Sequence, residues 1–373
     1  MQFLYADKVF VIMGAHKSIH AGKAKLDIGV NFIHNLCSSY VLSPPRLSSS
    51  NPFSLAAGSF CFKHPELFSK SDLFDVSWHK GLHDSNLLIS YRYPRPLCLG
   101  QKCLILQHSA SPEIRIHGIP MNNFSHSTSR GVRLSKLSIG MDINEPSTSN
   151  WSSITGVYFK HFHFRNDGGR SISRDLDGFP VTSSGDSFDN MLVINQESRF
   201  EDANDHGFSH FSVQMQQGIP LGPNLLTFNR FKFFASKGVK LGPALFTSWL
   251  SGGSIVGPIA PHQAFAIGGP SSVRGYGEGA VGSGQSCLVS KSELAVPLNK
   301  KLTGVIFLDC GSDLRSSHKV PGNPGLRQGK PGSGYGIGYG VRFKTNSCQI
   351  NVDYAINAFH QRTVYFGISN LVL

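Results

Sequence analysis

The sequence predicts an all-β chain folded as an antiparallel β-barrel, and three observations point there. Apolar and polar residues alternate in short segments along most of the chain. The clearest case sets Cys348, Ile350, Val352, Tyr354 and Ile356 opposite Gln349, Asn351, Asp353 and Asn357. No segment approaches the roughly 18 to 20 apolar residues of a spanning helix, which leaves a membrane-spanning barrel open because barrel strands give only a weak hydropathy signal. The segments also tally to about sixteen, an even number such as single-chain outer-membrane barrels have.

Residues 1–23 are expected to form an N-terminal extension outside a barrel of 24–373. The start has neither the charged, apolar and small-residue pattern of a secretory signal nor an Arg- and Ser-rich transit leader. Met13-Gly14-Ala15-His16-Lys17-Ser18 matches an N-myristoylation pattern if Met13 is the start. The first strand is read at 25–32, where Leu26, Ile28, Val30 and Phe32 alternate with Lys25, Asp27, Gly29 and Asn31. Residues 38–51, with Pro44-Pro45 and a serine run, read as a loop. Strands follow near 54–63, 73–79, 85–93, 102–109, 130–143 and 151–164, and then a Gly/Ser/Asp loop at 166–190. Further strands are read near 191–199, 208–217, 225–236 and 241–254, the third of these without clean alternation.

A glycine-rich connection at 255–285 comes next. Glycines at 268, 269, 275, 277, 279, 282 and 284 would weaken any ladder they sat in, so it reads as a long loop. Loops of this length inside a compact protein are usually functional or disordered, and Val273, Arg274 and Tyr276 among close-packing glycines suggest order. Five strands complete the chain near 286–297, 301–312, 334–344, 347–358 and 362–373. Gly334, Gly336, Gly338 and Gly340 recur with a strict period of two opposite Tyr335, Ile337, Tyr339 and Val341, which gives a strand with one bare face and room for a loop against it.

The net charge of +12 and a pI near 9.4 come from scattered lysines and arginines with no block of like charge, and no nucleic-acid partner is expected. Seven cysteines at irregular spacing, without a C-x-x-C, read as small hydrophobes. The sequence lacks G-x-S-x-G, H-E-x-x-H and G-K-[ST], so no enzyme activity, catalytic residue or cofactor is expected. His161 and His163 lack a third ligand at a telling spacing, and Asp175-Leu176-Asp177-Gly178 lacks the glutamate end of a calcium loop, so no metal is expected.

The loop sequence Gly268-Gly269-Pro270-Ser271-Ser272-Val273-Arg274-Gly275-Tyr276, followed by Gly277 and Glu278, resembles the sixth-loop signature of the BamA/TpsB superfamily of outer-membrane barrels. Phe307-Leu308-Asp309-Cys310-Gly311 resembles that family's F-x-D-x-G strand motif. Gly277 to Gly284 and the run Ser292-Glu293-Leu294-Ala295-Val296-Pro297-Leu298 are most similar to short members of the plant plastid outer-envelope branch.

The resemblance implies a transmembrane antiparallel β-barrel of about sixteen strands with a long inward-folded loop between strands 11 and 12. It also implies a location in the plastid outer envelope. Alternation in 301–312 turns Ile306 and Leu308 to lipid and Phe307, Asp309 and Gly311 to the lumen. An aspartate there needs a partner, and the resemblance supplies Arg274. That contact reads equally as a staple for a plug and as a working element. Full-length family members carry soluble POTRA modules before the barrel, for which this chain is expected to have no room. The expected partners are membrane lipid, other outer-envelope β-barrel proteins or a POTRA-containing relative. Function stays open between assisting the insertion or passage of outer-envelope proteins, a pore for small solutes or peptides, and a structural barrel. The C-terminal Leu371-Val372-Leu373 fits a barrel-assembly signal, although Asn370 stands where that pattern prefers an apolar residue.

Overall fold

A computed structural model describes residues 10–17, 24–31, 36–42, 56–65, 67, 72–80, 85–93, 100–111, 132–145, 150–166, 168–175, 178–222, 225–277, 279–321, 330–345 and 348–370. Glu278, Cys98, Leu176, Asp177 and the terminal 371–373, all singled out from the sequence, lie outside the described residues, as do 1–9 of the extension.

The chain order is β1 (Phe10–Lys17), β2 (Ala24–Asn31), β3 (Leu36–Leu42), β4 (Ala56–Pro65), β5 (Leu73–Lys80), β6 (Ser85–Arg92), β7 (Gln101–Ser111), β8 (Arg133–Asn144), β9 (Trp151–Arg165) and β10 (Phe188–Asn204). It continues with β11 (Gly207–Ile219), β12 (Asn229–Leu241), β13 (Ala244–Val256), β14 (Phe265–Ile267), β15 (Gly282–Gly284), β16 (Ser286–Pro297), β17 (Leu302–Ser312), β18 (Ser333–Lys344), β19 (Cys348–Asn357) and β20 (Arg362–Asn370). Sixteen strands, β3 to β13 and β16 to β20, form one antiparallel sheet in sequence order. Its edges are β3 and β20, and no hydrogen bonds join them among the described residues. The long connection leaves the sheet after its eleventh strand, β13, and returns at its twelfth, β16.

The two faces differ as the alternation requires. On β17, Ile306 and Leu308 are 61% and 46% exposed, while Phe307 and Asp309 between them are 2% and 0%. Phe159, Phe231, Leu250, Ile337 and Val352 are likewise exposed on other strands. Such a continuous apolar belt would be a liability in water and is the lipid-facing surface of a membrane barrel. On the inner side, apolar clusters form where connections fold back onto the wall. One joins Phe164, Met191 and Val193 to Val181, and another joins Ile255 to Ile259, Ala264 and Val320.

Three local expectations change. The segment read as the first barrel strand is β2, but it pairs with β1 in a separate hairpin, with Val11 opposite Val30 and Ile12 opposite Gly29. The sheet instead begins with β3, which overlaps the start of the stretch read as loop, because its Leu36 to Leu42 backbone pairs along Phe62 to Ala56 of β4. The total of sixteen survives because one strand is lost and one gained. Strand β10, read near 191–199, runs to Asn204 and pairs with β11 as far as Gly207, because 201–206 are exposed and this hairpin end needs no apolar face. The glycine-rich connection also holds a short ladder, β14 with β15. Gly284 can sit there because a Cβ would strike the Ser316 hydroxyl.

If the exposed apolar face meets lipid, a lysine should cost about 2–4 kcal/mol at mid-strand Ile337 and only about 0–1 kcal/mol at strand-end Phe343. Guanidinium unfolding of the refolded protein in lipid vesicles measures both. Equal and small effects at the two positions would contradict a bilayer around this belt.

Candidate functional site

Residues 257–285 turn into the sheet and dock on the inner face of its C-terminal third. Gly268 and Gly269 reverse the chain with φ of 127° and 88°, a region closed to most side chains. The Ser272 hydroxyl, which accepts from the Gly268 N–H and donates to its carbonyl, closes the turn. Ile267, Val273 and Tyr276 then pack with Val281 and wall residue Val289. A Cβ at Gly311 would stand 2.7 Å from methyls of both Ile267 and Val273, so the bare wall at that position is what lets the loop sit flush.

This docking delivers Arg274, 3% exposed, to Asp309, which is fully buried. Arg274 Nε donates to Asp309 Oδ2 at 2.6 Å and Nη2 to Oδ1 at 2.9 Å, a two-pronged fork, and the Arg274 main-chain N–H adds a third bond at 3.1 Å. Nη1 is shared between Glu293 and Asp353, 3.2 Å from each. Arg342 bonds Asp353 and lies 3.6 Å from Glu293. The Phe307 ring lies under the guanidinium, 3.4 Å from centroid to Cζ. Lys291, cross-strand from Asp309, donates to the Pro270 carbonyl at 3.0 Å. Arg274, Arg342 and Lys291 thus balance Asp309, Glu293 and Asp353. Burial would pull the Arg274 pKa down, but the hydrogen bond and charge of Asp309, with Glu293 and Asp353, hold it above its ordinary value.

The next two loop residues reach the last two strands. Gly275, at φ 95°, packs against the Asn357 backbone; its N–H donates to the Tyr365 hydroxyl at 2.9 Å and its carbonyl accepts from Asn357 Nδ2 at 2.9 Å. Tyr365 in turn donates to the Tyr276 carbonyl at 2.9 Å, and the Tyr276 hydroxyl accepts from the Ala358 N–H at 3.3 Å.

The four glycines of β18 divide. A Cβ at Gly334 would come within 2.8 Å of the Tyr276 hydroxyl, and one at Gly336 would overlap the Arg274 carbonyl. Gly338 and Gly340 face Phe307 with the Tyr354 backbone, and Asp353 with Arg342, so they touch the wall's own side chains. The sequence reading did not single out Asp353, Glu293, Arg342, Asn357 or Tyr365. Asp353 and Asn357 stand on the polar face of the clearest amphipathic strand, but only the register, with Asp309 opposite Gly336 and Gly340 opposite Asp353, shows that they converge.

Elsewhere, His161 Nδ1 is 2.7 Å from Asn190 Oδ1 and His163 Nε2 is 2.8 Å from Ser171 Oγ. The Asp175 carboxylate accepts the Phe179 N–H and closes a turn. Cys103, Cys287 and Cys310 are free thiols. No group of three His, Cys, Asp or Glu placed to hold a metal occurs among the described residues.

Compared with known proteins, residues 76–370 match the Omp85 superfamily domain. The chain belongs to the Omp85 superfamily. It is 60% identical to outer envelope protein 39 of Arabidopsis thaliana, over 96% of this chain and 99% of that one. It is 37% identical to the Arabidopsis outer envelope protein 80, over 86% of this chain and 43% of that longer one. Among solved structures, BamA from Haemophilus ducreyi lacking POTRA domains 1–3 superposes with a TM-score of 0.68 at 12% identity, covering 97% of this chain and 75% of that one. The BamA-like resemblance of the loop and strand motifs therefore holds for the family and the fold. Relatives 60% and 49% identical to this Omp85 chain are named chloroplastic outer envelope proteins, and its exposed apolar belt fits a barrel of that outer membrane.

Removing Arg274 strands a carboxylate with no exposure, so Arg274→Ala should cost about 3–5 kcal/mol. Asp309→Ala should cost less, because Glu293 and Asp353 still hold the guanidinium. The double mutant should lose much less than the sum, and Arg274→Lys should rescue only in part because ammonium lacks the planar fork. A double-mutant cycle on barrel unfolding reads this, and strict additivity would remove the coupling.

The division among the glycines gives a second expectation. Gly336→Ala should push Arg274 off the wall and open the loop to trypsin at Arg274, and more so than Gly338→Ala, which meets the loop only indirectly through Phe307. Identical digestion of the two variants would contradict the packing.

Proposed function

We propose that the chain is a channel-type outer-envelope barrel that assists the insertion or passage of other outer-envelope proteins, beside other barrels or a relative that carries POTRA modules. The observation that carries this reading is the tie between the inner loop and the sheet's edge. Gly275 and Tyr276 are bonded to Tyr365 of β20, a strand whose far side is unpaired among the described residues, and the same loop is anchored by Arg274 to Asp309 three strands away. An unpaired β-edge is a template for another strand. A loop held on both wall and edge sets the position of that template, a linkage that neither a bare solute pore nor a purely structural barrel needs. In this reading Arg274 and Asp309 are the working contact, with Gly268, Gly269, Val273, Gly275, Tyr276, Phe307 and Gly311 as its support.

A pore for small solutes or peptides is the second reading, favoured by a lumen space of about 340 Å³ lined by Gln107, Ser138, Asn195, Gln214 and Gln216. Depleting the protein from plastids and quantifying other outer-envelope barrels separates the two. Their levels should fall, and should recover with the parent protein but not with Arg274→Ala at equal abundance. Unchanged levels, together with a large and steady conductance of the purified protein in planar bilayers, would replace the first reading with the second.

A further inference from the structure

Away from the clamp, the inner face carries basic side chains of the opposite character. Lys136 of β8, Lys160 of β9, and Arg230 and Lys232 of β12 line a single cavity of about 230 Å³, together with Gln216 of β11 and Gln263 of the inner loop. None of the four cations has an ion-pair partner among the described residues. Glu197, which shares an adjacent space with Lys232, is held by Arg199 at 2.6 Å. Arg230 Nε is buried without a hydrogen-bond partner among the described residues, and its guanidinium lies on the Phe265 ring of the loop, 4.9 Å to the centroid, with Lys232 Nζ 6.0 Å from the same ring.

Four like charges converging on one space repel one another, and one small anion there would offset that repulsion. We propose that this cavity is a binding site for a small phosphate-type oxyanion, walled by Lys136, Lys160, Arg230 and Lys232 and roofed by His262 and Gln263 of the inner loop, with Phe265 stacked on Arg230 beside it.

The volume sets the size of the occupant. It lies below the roughly 300–1,000 Å³ of drug-sized ligand pockets and suits an ion or the phosphate end of a phosphorylated solute. The side of the wall sets its source. Phe159 and Phe231, the strand neighbours of Lys160 and of Arg230 and Lys232, are exposed on the opposite face, so the cavity opens away from lipid and takes a soluble anion. Wall and roof belong to different parts of the chain, so an occupant would also hold residues 261–265 of the loop to β8, β9 and β12. The site is independent of whether the barrel inserts proteins.

The test uses the full chain refolded in a neutral detergent, with inorganic pyrophosphate as the probe at constant ionic strength. Pyrophosphate should bind saturably and raise the unfolding temperature. Lys160→Gln and Lys232→Gln should each weaken binding about tenfold or more, the loss of one charge-assisted bond. Lys240→Gln, on the exposed end of β12, should bind like the parent. Without pyrophosphate, Lys160→Gln and Lys232→Gln should be as stable as the parent or more so, because each relieves repulsion. Four results would overturn the proposal. These are no saturable binding, equal weakening by Lys240→Gln, destabilisation of both cavity variants without ligand (the mark of an internal carboxylate already in place), and displacement of pyrophosphate by phosphatidylglycerol or more tightly by a polyglutamate peptide.

Discussion

A carboxylate with no exposure to solvent, fixed in a barrel wall, is the constraint around which this molecule is arranged. Asp309 cannot be stable there alone, since an isolated charge in such a place costs several kcal/mol. Its answer has to come from outside the strand. Arg274 supplies it, and the fork geometry, the main-chain N–H and the Phe307 ring beneath make the fit directional. Everything about the loop follows from bringing one guanidinium to one point. The reversal at Gly268 and Gly269, the flush contact over Gly311 and the absence of a side chain at Gly336 all serve that delivery.

The clamp is also a junction. Glu293 on β16, Asp309 on β17 and Asp353 on β19 bond the same guanidinium, and Arg342 on β18 pairs with both Glu293 and Asp353, so four successive strands are cross-linked around one loop residue. Tyr365 extends the link to the edge strand. A displacement of the loop therefore acts on the strands and the edge together, and a movement of the edge is felt at the loop. Such a two-way linkage is the physical basis for reading the loop as a working part of the barrel.

Charge is segregated along the inner face. Near the clamp three cations meet three carboxylates and cancel. Lys136, Lys160, Arg230 and Lys232 on β8, β9 and β12 have no ion-pair partner among the described residues, and the loop touches both regions, through Arg274 in one and Phe265 in the other. The overall charge of +12, which in the sequence looks merely scattered, is in part gathered by the fold onto one inner surface.

The all-β class, the strand count and the two motifs were legible in the sequence because each rests on local periodicity or on a short run of residues. Alternation at 348–357 decides which side chains share a face without reference to any other strand. What lay out of reach depends on register and on pairing. Whether 24–31 joins the large sheet or a hairpin is decided by which backbone edge is available, and its amphipathic pattern suits either. Asp353 and Glu293 reach Arg274 only because antiparallel ladders set them at neighbouring levels of one face, and a slip of one residue would turn them to the opposite face. Gly336 and Gly338 are identical in the sequence and differ only in what the loop places above them. Period and composition belong to the chain itself; which charges meet, and which are left facing one another, belongs to the tertiary structure, because electrostatic partnership depends on distance in space and burial.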